Sequence, residues 1–275
     1  MIYVSLSRVQ RLEQVFILEE IPENKMKPWM DALEEMNRLD VKDLSKVSEC
    51  PFKLSSMNIF SLRAHFEDLS SDSDVISSDV LCLQETWLNP DDSLEELTLP
   101  QKQLCANSVR KGAGIATYFS DRFKETHSFT AMSYQMTAVS SEDKAVINIY
   151  RSSNANDKLL IAHMETIITD HTDKEIFICA DWNFCHIEEK NHKIYKYLIS
   201  KLFTPTRNQL TATHKRGRCL DVIWSRGLMK IEAGSKYVYY SDHAQQFIKE
   251  VCIICILIKE KKKCSLIINK EVMNK

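Results

Sequence analysis

Between residues 52 and 225 the chain returns six times to a strand-length apolar run, and most of these runs stop at a group that can ionise or hydrogen-bond. The runs are FKLSSMNIF (52–60), VLCLQET (80–86), AGIATYF (113–119), AVINIYR (145–151), EIFICADWN (175–183) and CLDVIWS (219–225). Runs of this length and composition are strand candidates that look buried. Helical patterns fall between some of them, at SLRAHFEDLSS (61–71) and EKNHKIYKYLISKLF (189–203). The mixture predicts one α/β domain over residues 54–250. With five glycines in the chain, none in a GxxxxGK[ST] setting, a phosphate-cradling loop is excluded.

A carboxylate at the end of a buried strand is costly unless a cation or a hydrogen-bond donor meets it. If the strand ends converge, one cleft gathers Glu85, Asp181, Asp221 and Asp242 with Asn58, Asn183 and His243. That set describes an oxygen-rich Mg²⁺ site beside a His–Asp pair. Taken singly, residues such as Glu85 or Asp242 also read as helix caps or turn residues, and spacing alone leaves both readings open.

In order along the chain, MNIFSLR (57–63), LCLQETWL (81–88), IYRS (149–152), ADWN (180–183), LDVIW (220–224) and SDH (241–243) resemble the motifs of the endonuclease/exonuclease/phosphatase family. The resemblance is strongest to the apurinic-endonuclease-like nucleases of retroelements and Helitron-like transposons. It implies a four-layer α/β sandwich, with two mixed sheets face to face, helices outside, and the active site at one edge. It further implies that Glu85 holds Mg²⁺ or Mn²⁺ with help from Asn58, with Asp242 near the metal. By the same resemblance Asp181 orients or deprotonates the attacking water, Asn183 grips the scissile phosphate, and Tyr150 touches it. His243, paired with Asp221, donates to a phosphate oxygen. The implied activity is DNA endonuclease hydrolysis. Three departures stand out: Ala180 replaces the usual Gly and would crowd a backbone of positive φ, a proline is missing after Tyr150-Arg151, and no strand is evident around 130–142. Ala180, the short middle and the irregular tail motivate a second reading, an inactive nuclease scaffold that binds nucleic acid or only folds. A phosphoinositide or small phosphoester substrate is a third.

Residues 2–18, IYVSLSRVQRLEQVFIL, resemble the last motif of Helitron helicases, with Arg8 in the place of the arginine that reaches ATP. This makes residues 1–39 a helicase remnant without ATPase activity of its own, joined by a linker (40–53). Helicase then endonuclease is the order in some Helitron-like proteins, so the resemblance places the chain in a mobile element and in the nucleus. Residues 251–275 form a final strand or an irregular tail.

Charge adds a partner. Residues 1–100 carry 9 Lys and Arg against 20 Asp and Glu, whereas residues 101–275 carry 27 against 18. The basic loop TRNQLTATHKRGR (206–218), with Arg207, Lys215, Arg216 and Arg218, is placed to follow a DNA backbone. Nine scattered cysteines fit a reducing compartment rather than a disulfide framework. Neither Cys252-x-x-Cys255 nor Cys185 with His186 and His192 completes a zinc site. VCIICILI (251–258) is too short to span a bilayer, and no obligate protein partner is legible.

Overall fold

The computed structural model describes residues 51–250 apart from 111, 208 and 228–230. The chain divides between Cys50 and Pro51. The helicase-like segment 1–39, residues 40–50 of the expected linker, and the tail 251–275 with its Cys252-x-x-Cys255 lie outside the described residues.

Twelve strands among the described residues form two six-stranded sheets. The first runs β11 (Ile231–Tyr237), β12 (Ala244–Glu250), β1 (Lys53–Asn58), β2 (Val80–Gln84), β4 (Ile115–Phe119), β3 (Gln103–Asn107). The second runs β5 (Lys124–Ala131), β6 (Tyr134–Ser140), β7 (Lys144–Arg151), β8 (Glu175–Asp181), β10 (Asp221–Arg226), β9 (Thr204–Pro205). Each sheet is antiparallel except at one central pair, β1 with β2 and β7 with β8. A parallel pair needs a crossover. Helices α1 (Leu62–Ser71) and α2 (Ser73–Ile76) lie in the first crossover and α3 (Asp157–Asp170) in the second, while α4 (Lys193–Ser200) follows β8.

Burial explains why the runs lack alternation. The faces that meet between the sheets supply Leu54, Val80, Cys82, Val146, Phe177, Cys179 and Ile223. The opposite face of the first sheet packs Met57, Leu81 and Leu83 with Leu62 and Leu69 of α1. The opposite face of the second packs Ile147, Ile149, Ile176 and Ile178 with Leu160, Met164, Ile167 and Ile168 of α3 and Ile194 and Leu198 of α4. Helix α3 presents these residues at the spacing of one helical face and is capped by Asn156, whose side chain accepts from Leu159 N at 3.3 Å. The layers are therefore helix, sheet, sheet, helix, as the resemblance implies.

Two expectations are corrected. Strand β6 occupies 134–140, where no strand was evident: its residues are all buried, and the polar ones are satisfied inside. Thr137 Oγ1 lies 2.9 Å from Thr117 Oγ1, and Gln135 Oε1 accepts from Gly114 N at 3.1 Å. Ala180, in turn, sits in extended β8 between Ile149 and Val222, so its methyl group meets no strained backbone. The position that does require glycine is Gly114, with φ of +98° and a would-be Cβ 2.6 Å from Thr86 Oγ1.

Candidate active site

Strand register brings the polar ends together. Asn58 is paired with Gln84, so Glu85 follows directly beside it. In the other sheet Asp181 is flanked by Tyr150 on β7 and Asp221 on β10. The two sheets meet where Asn58 Nδ2 donates to Asp181 Oδ2 at 3.0 Å, and the Asn58 Oδ1 accepts from Phe60 N at 3.1 Å. Asn183 completes the turn after β8: its backbone N–H reaches Asp181 Oδ1 at 3.1 Å, and its Nδ2 donates to Arg151 O at 2.8 Å and to Asp181 Oδ2 at 3.3 Å. Glu85 and Asn183 both hold positive φ, 51° and 52°. Such backbone persists only where the surroundings impose it, and it collects at functional sites.

His243 enters from the first sheet, just before β12. Its Nδ1 stands 2.8 Å from Asp221 Oδ2, and the same oxygen accepts from Thr213 Oγ1 at 2.7 Å. Thr213 Oγ1 accepts in turn from Asp221 N at 3.0 Å and Leu220 N at 2.9 Å. Ser241 anchors the approach, donating to Asn58 O at 2.7 Å and accepting from His243 N at 3.0 Å. Asp181, Asp221 and His243 thus place ligand-type atoms within 4.8 Å of one another.

The electrostatics follow from this crowding. Burial, then the neighbouring Asp221 carboxylate and Glu85, push Asp181 up to about 7 against the pull of His243 and Asn58. His243 is disfavoured as a cation by burial, but the Asp221 carboxylate and its hydrogen bond overcome this and raise it to about 9. Burial raises Glu85, whose charge is felt by Asn58, His243, Trp87 and Asp242. Burial also raises the Tyr150 phenol, with Glu85, Asp181 and Arg110 in its field. Asp242 is held through Oδ2 by His214 Nε2 at 3.1 Å, and a second three-residue cluster, His214, Asp242 and His243, adjoins the first.

The side chains fit a hard divalent cation. Four carboxylates crowd one imidazole, and Asp221 Oδ1 and Asp242 Oδ1 are buried acceptors without a hydrogen-bond partner among the described residues. Oxygen donors of this kind suit Mg²⁺ or Mn²⁺.

The basic loop divides. Lys215 and Arg216 are exposed at the tip of the turn, and Lys215 N donates to Asp242 O at 3.0 Å, which seats the turn on the site. Arg207 instead donates to Ser235 Oγ at 3.0 Å and Thr211 Oγ1 at 3.1 Å, and Arg218 pairs with Glu189 at 2.8 Å. Ser241 entered only as the first residue of SDH, with no role given, and Thr213 and His214 were not singled out within the basic loop, since a hydroxyl and a lone histidine in a loop carry no periodic signal. His186, beside the ADWN turn, is fully buried and accepts from Trp224 Nε1 at 3.3 Å; His192 stacks on Phe184 with ring centroids 3.9 Å apart. Neither faces the cleft carboxylates as a ligand, and the five described cysteines are all free and buried.

Known structures share the fold. The endonuclease domain of TRAS1, a telomere-specific non-LTR retrotransposon, superposes with TM-score 0.56 at 11% identity, covering 73% of this chain and 98% of that one. A 3'-5' exonuclease (NExo) from Neisseria meningitidis gives 0.55 at 15%, covering 73% and 100%. An AP endonuclease from Archaeoglobus fulgidus gives 0.52 at 14%, covering 72% and 98%. No curated protein matches the chain. The family model for the Endonuclease/Exonuclease/phosphatase family matches residues 55–243, a span that contains every strand end described above, and the chain belongs to that family.

Proposed function

We propose that the chain is a Mg²⁺- or Mn²⁺-dependent DNA endonuclease of a mobile-element protein, with the phosphodiester cleaved over the Asn58–Asp181–His243 cleft. The observation that carries this reading is the meeting of two buried relays, Asn58–Asp181–Asn183 and Asp221–His243, across two separate sheets. A merely structural use of strand-end polar residues would scatter them.

In this reading Asp181 orients the attacking water and accepts its proton, held in place by Asn58 and by the Asn183 backbone. The Tyr150 hydroxyl positions the phosphate, and Asn183 would grip it by exchanging its bond to Asp181 Oδ2 for one to a phosphate oxygen. His243, kept cationic by Asp221, donates to the phosphate oxygen on which charge builds. Glu85, Asn58 and Asp242 would hold the cation, which supplies charge neutralisation at the phosphate when bound. Asn58 serves two ends, since its Nδ2 is committed to Asp181 and its Oδ1 keeps one lone pair beyond that used by Phe60 N. Lys215 and Arg216, with Arg207 and Arg218 behind them, would line the path of the DNA backbone.

The DNA substrate is supported by the structural relatives, which include an AP endonuclease and a 3' phosphatase bound to a product DNA hairpin. The mobile-element setting, and with it a nuclear location, rests on LQETWL, on the helicase-like residues 1–39 ahead of the 40–53 linker and the 54–250 domain, and on the likeness to TRAS1. No helix among the described residues is long and apolar enough to cross a membrane. The inactive-scaffold reading loses two of its motives, because Ala180 is unstrained and strand β6 is present. The test is nicking of supercoiled plasmid in Mg²⁺ by the full chain. Nicking should be lost with Glu85→Ala and with His243→Ala; a chain that never nicks, or nicks equally after both changes, overturns the proposal.

A further inference from the structure

Two aromatic side chains stand at the mouth of the cleft, each two residues beyond a site residue: Phe60 after Asn58 and Trp87 after Glu85. Their rings pack against one another with centroids 4.4 Å apart, tilted by 55°. Phe60 is 46% exposed. A phenyl group left nearly half exposed adds less to the core than a buried one, and Phe60 belongs to none of the core clusters among the described residues.

The backbone makes its position stranger. Phe60 and Trp87 both hold positive φ, 52° and 55°, as does Ser61 at 95°. Bulky side chains rarely adopt this conformation, and Gly would take it without strain. The two loops are nonetheless zipped in place: Ile59 N donates to Gln84 O, Ser61 N to Glu85 O, Leu62 N to Thr86 O and Trp87 N to Ala113 O, each at 2.9 Å. The Trp87 indole N–H is turned inward on the Glu85 side, so its ring backs the phenyl group rather than swinging free. A rigid, solvent-facing aromatic surface is thus held beside the place where the phosphate would sit, at a cost in backbone strain that packing does not explain.

We propose that Phe60, braced by Trp87, is a stacking platform for a nucleobase of the strand being cleaved, next to the scissile phosphate. Every base offers a π-face, so the site demands a base without reading which one, and binding energy from the base is used to place the phosphate over Asp181. The identity of the ligand as DNA rests on the function proposed above; the platform itself rests on Phe60 and Trp87.

The experiment compares the affinity of the full chain, in Ca²⁺, for a fluorescein-labelled oligomer of abasic tetrahydrofuran units with its affinity for the same oligomer carrying one adenine. Because only one base is present, the oligomer slides until that base finds its best position. The wild-type chain should prefer the adenine oligomer by about 5- to 150-fold, the range set by a single stacked base. Phe60→Gly should lose that preference while melting at the same or a higher temperature, since glycine relieves the positive φ. A Phe60→Gly protein that keeps the preference overturns the proposal, as does a wild-type chain that shows none. Plasmid nicking in Mg²⁺ is read separately: preference without nicking leaves the platform standing and removes the hydrolase, and nicking without preference does the reverse.

Discussion

Asn58 and Asp181 fasten the two sheets to each other, with Asn58 Nδ2 3.0 Å from Asp181 Oδ2 and both residues essentially without solvent contact. They end central strands of opposite sheets, so the contact is made only if both sheets are in register. It also means that the side chain given the role of base depends on a donor from the other half of the sandwich.

Asn58→Ala removes that donor. The Asp181 carboxylate, already raised to about 7 by burial and by Asp221, loses a hydrogen bond that favours its charged form and should rise further. We expect plasmid nicking to slow by on the order of 10²–10³, the usual loss for one site donor. The acidic limb of the rate profile should also move to higher pH. Single-turnover nicking between pH 5 and 9 reads both; an unmoved limb would remove Asp181 as the base.

Asp221→Asn tests the second relay. His243 owes its elevation to about 9, against the opposing effect of burial, to the Asp221 charge and hydrogen bond, and the amide should let it fall toward its ordinary value. The sign for stability follows from linkage. A histidine whose folded pKa is raised contributes stability that is whole below about 6.5 and is lost as pH rises through about 9. The wild-type advantage over Asp221→Asn should therefore shrink across that window, by about 3 kcal/mol as an upper bound. Urea midpoints at pH 6 and pH 9.5 give the comparison, and a constant difference contradicts it.

His186 works in the opposite direction. Burial holds it down to about 3, and it accepts from Trp224 Nε1 among the rings of Phe184 and Tyr195. The unfolded chain takes up a proton below about 6.5 that the folded chain refuses, so stability falls with pH there by up to about 1.4 kcal/mol per pH unit. His186→Phe should be about 1–3 kcal/mol less stable at pH 7, where the indole N–H loses its acceptor. Near pH 4.5 it should match or exceed wild type. Curves that never approach each other on acidification would show that His186 is already charged when folded.

The parts of the fold that were legible in the sequence are those whose strands bury apolar residues on both faces, such as VLCL before Gln84 and IFIC before Ala180. What was hidden is the polar interior. Gln84 Nε2 donates to Asn148 Oδ1 at 2.7 Å, Asn148 Nδ2 to Thr117 Oγ1 at 3.0 Å, and Gln245 Nε2 to Ser55 Oγ at 3.4 Å. Because the interior offers such partners to polar side chains, β6 and β12 carry buried polar residues and read as loop. Strand β5 has a largely exposed edge, and the stripe of helix α3 was blurred by Leu159, an apolar residue exposed beside it. The strand-end acids were visible because ionisable groups after apolar runs are conspicuous. The roles of Thr213, Ser241 and His214, which hold them, were not legible because they depend on contacts distant in sequence.

His214 is the sharpest case. Its Nδ1 accepts from Arg216 N at 2.9 Å, which leaves the ring proton of the neutral imidazole on Nε2, facing Asp242 Oδ2 at 3.1 Å. Burial, with the charge of His243, lowers its pKa and keeps it neutral. It is thereby a donor to Asp242 and not a free nitrogen for a cation, and it leaves Asp242 Oδ1 as a buried acceptor without a partner among the described residues. His214→Phe keeps a ring against His243, whose centroid is 4.7 Å away edge-on, but deletes the donor. We expect Mn²⁺ affinity, measured by calorimetry, to fall by about 10- to 100-fold, as for other supporting groups behind a metal ligand, and the metal concentration for half-maximal nicking to rise with it. His214→Gln, which restores an N–H donor at similar reach, should recover part of both. If the Phe variant binds Mn²⁺ as wild type does, Asp242 is not among the groups that hold the cation, and the site reduces to Glu85 and Asn58.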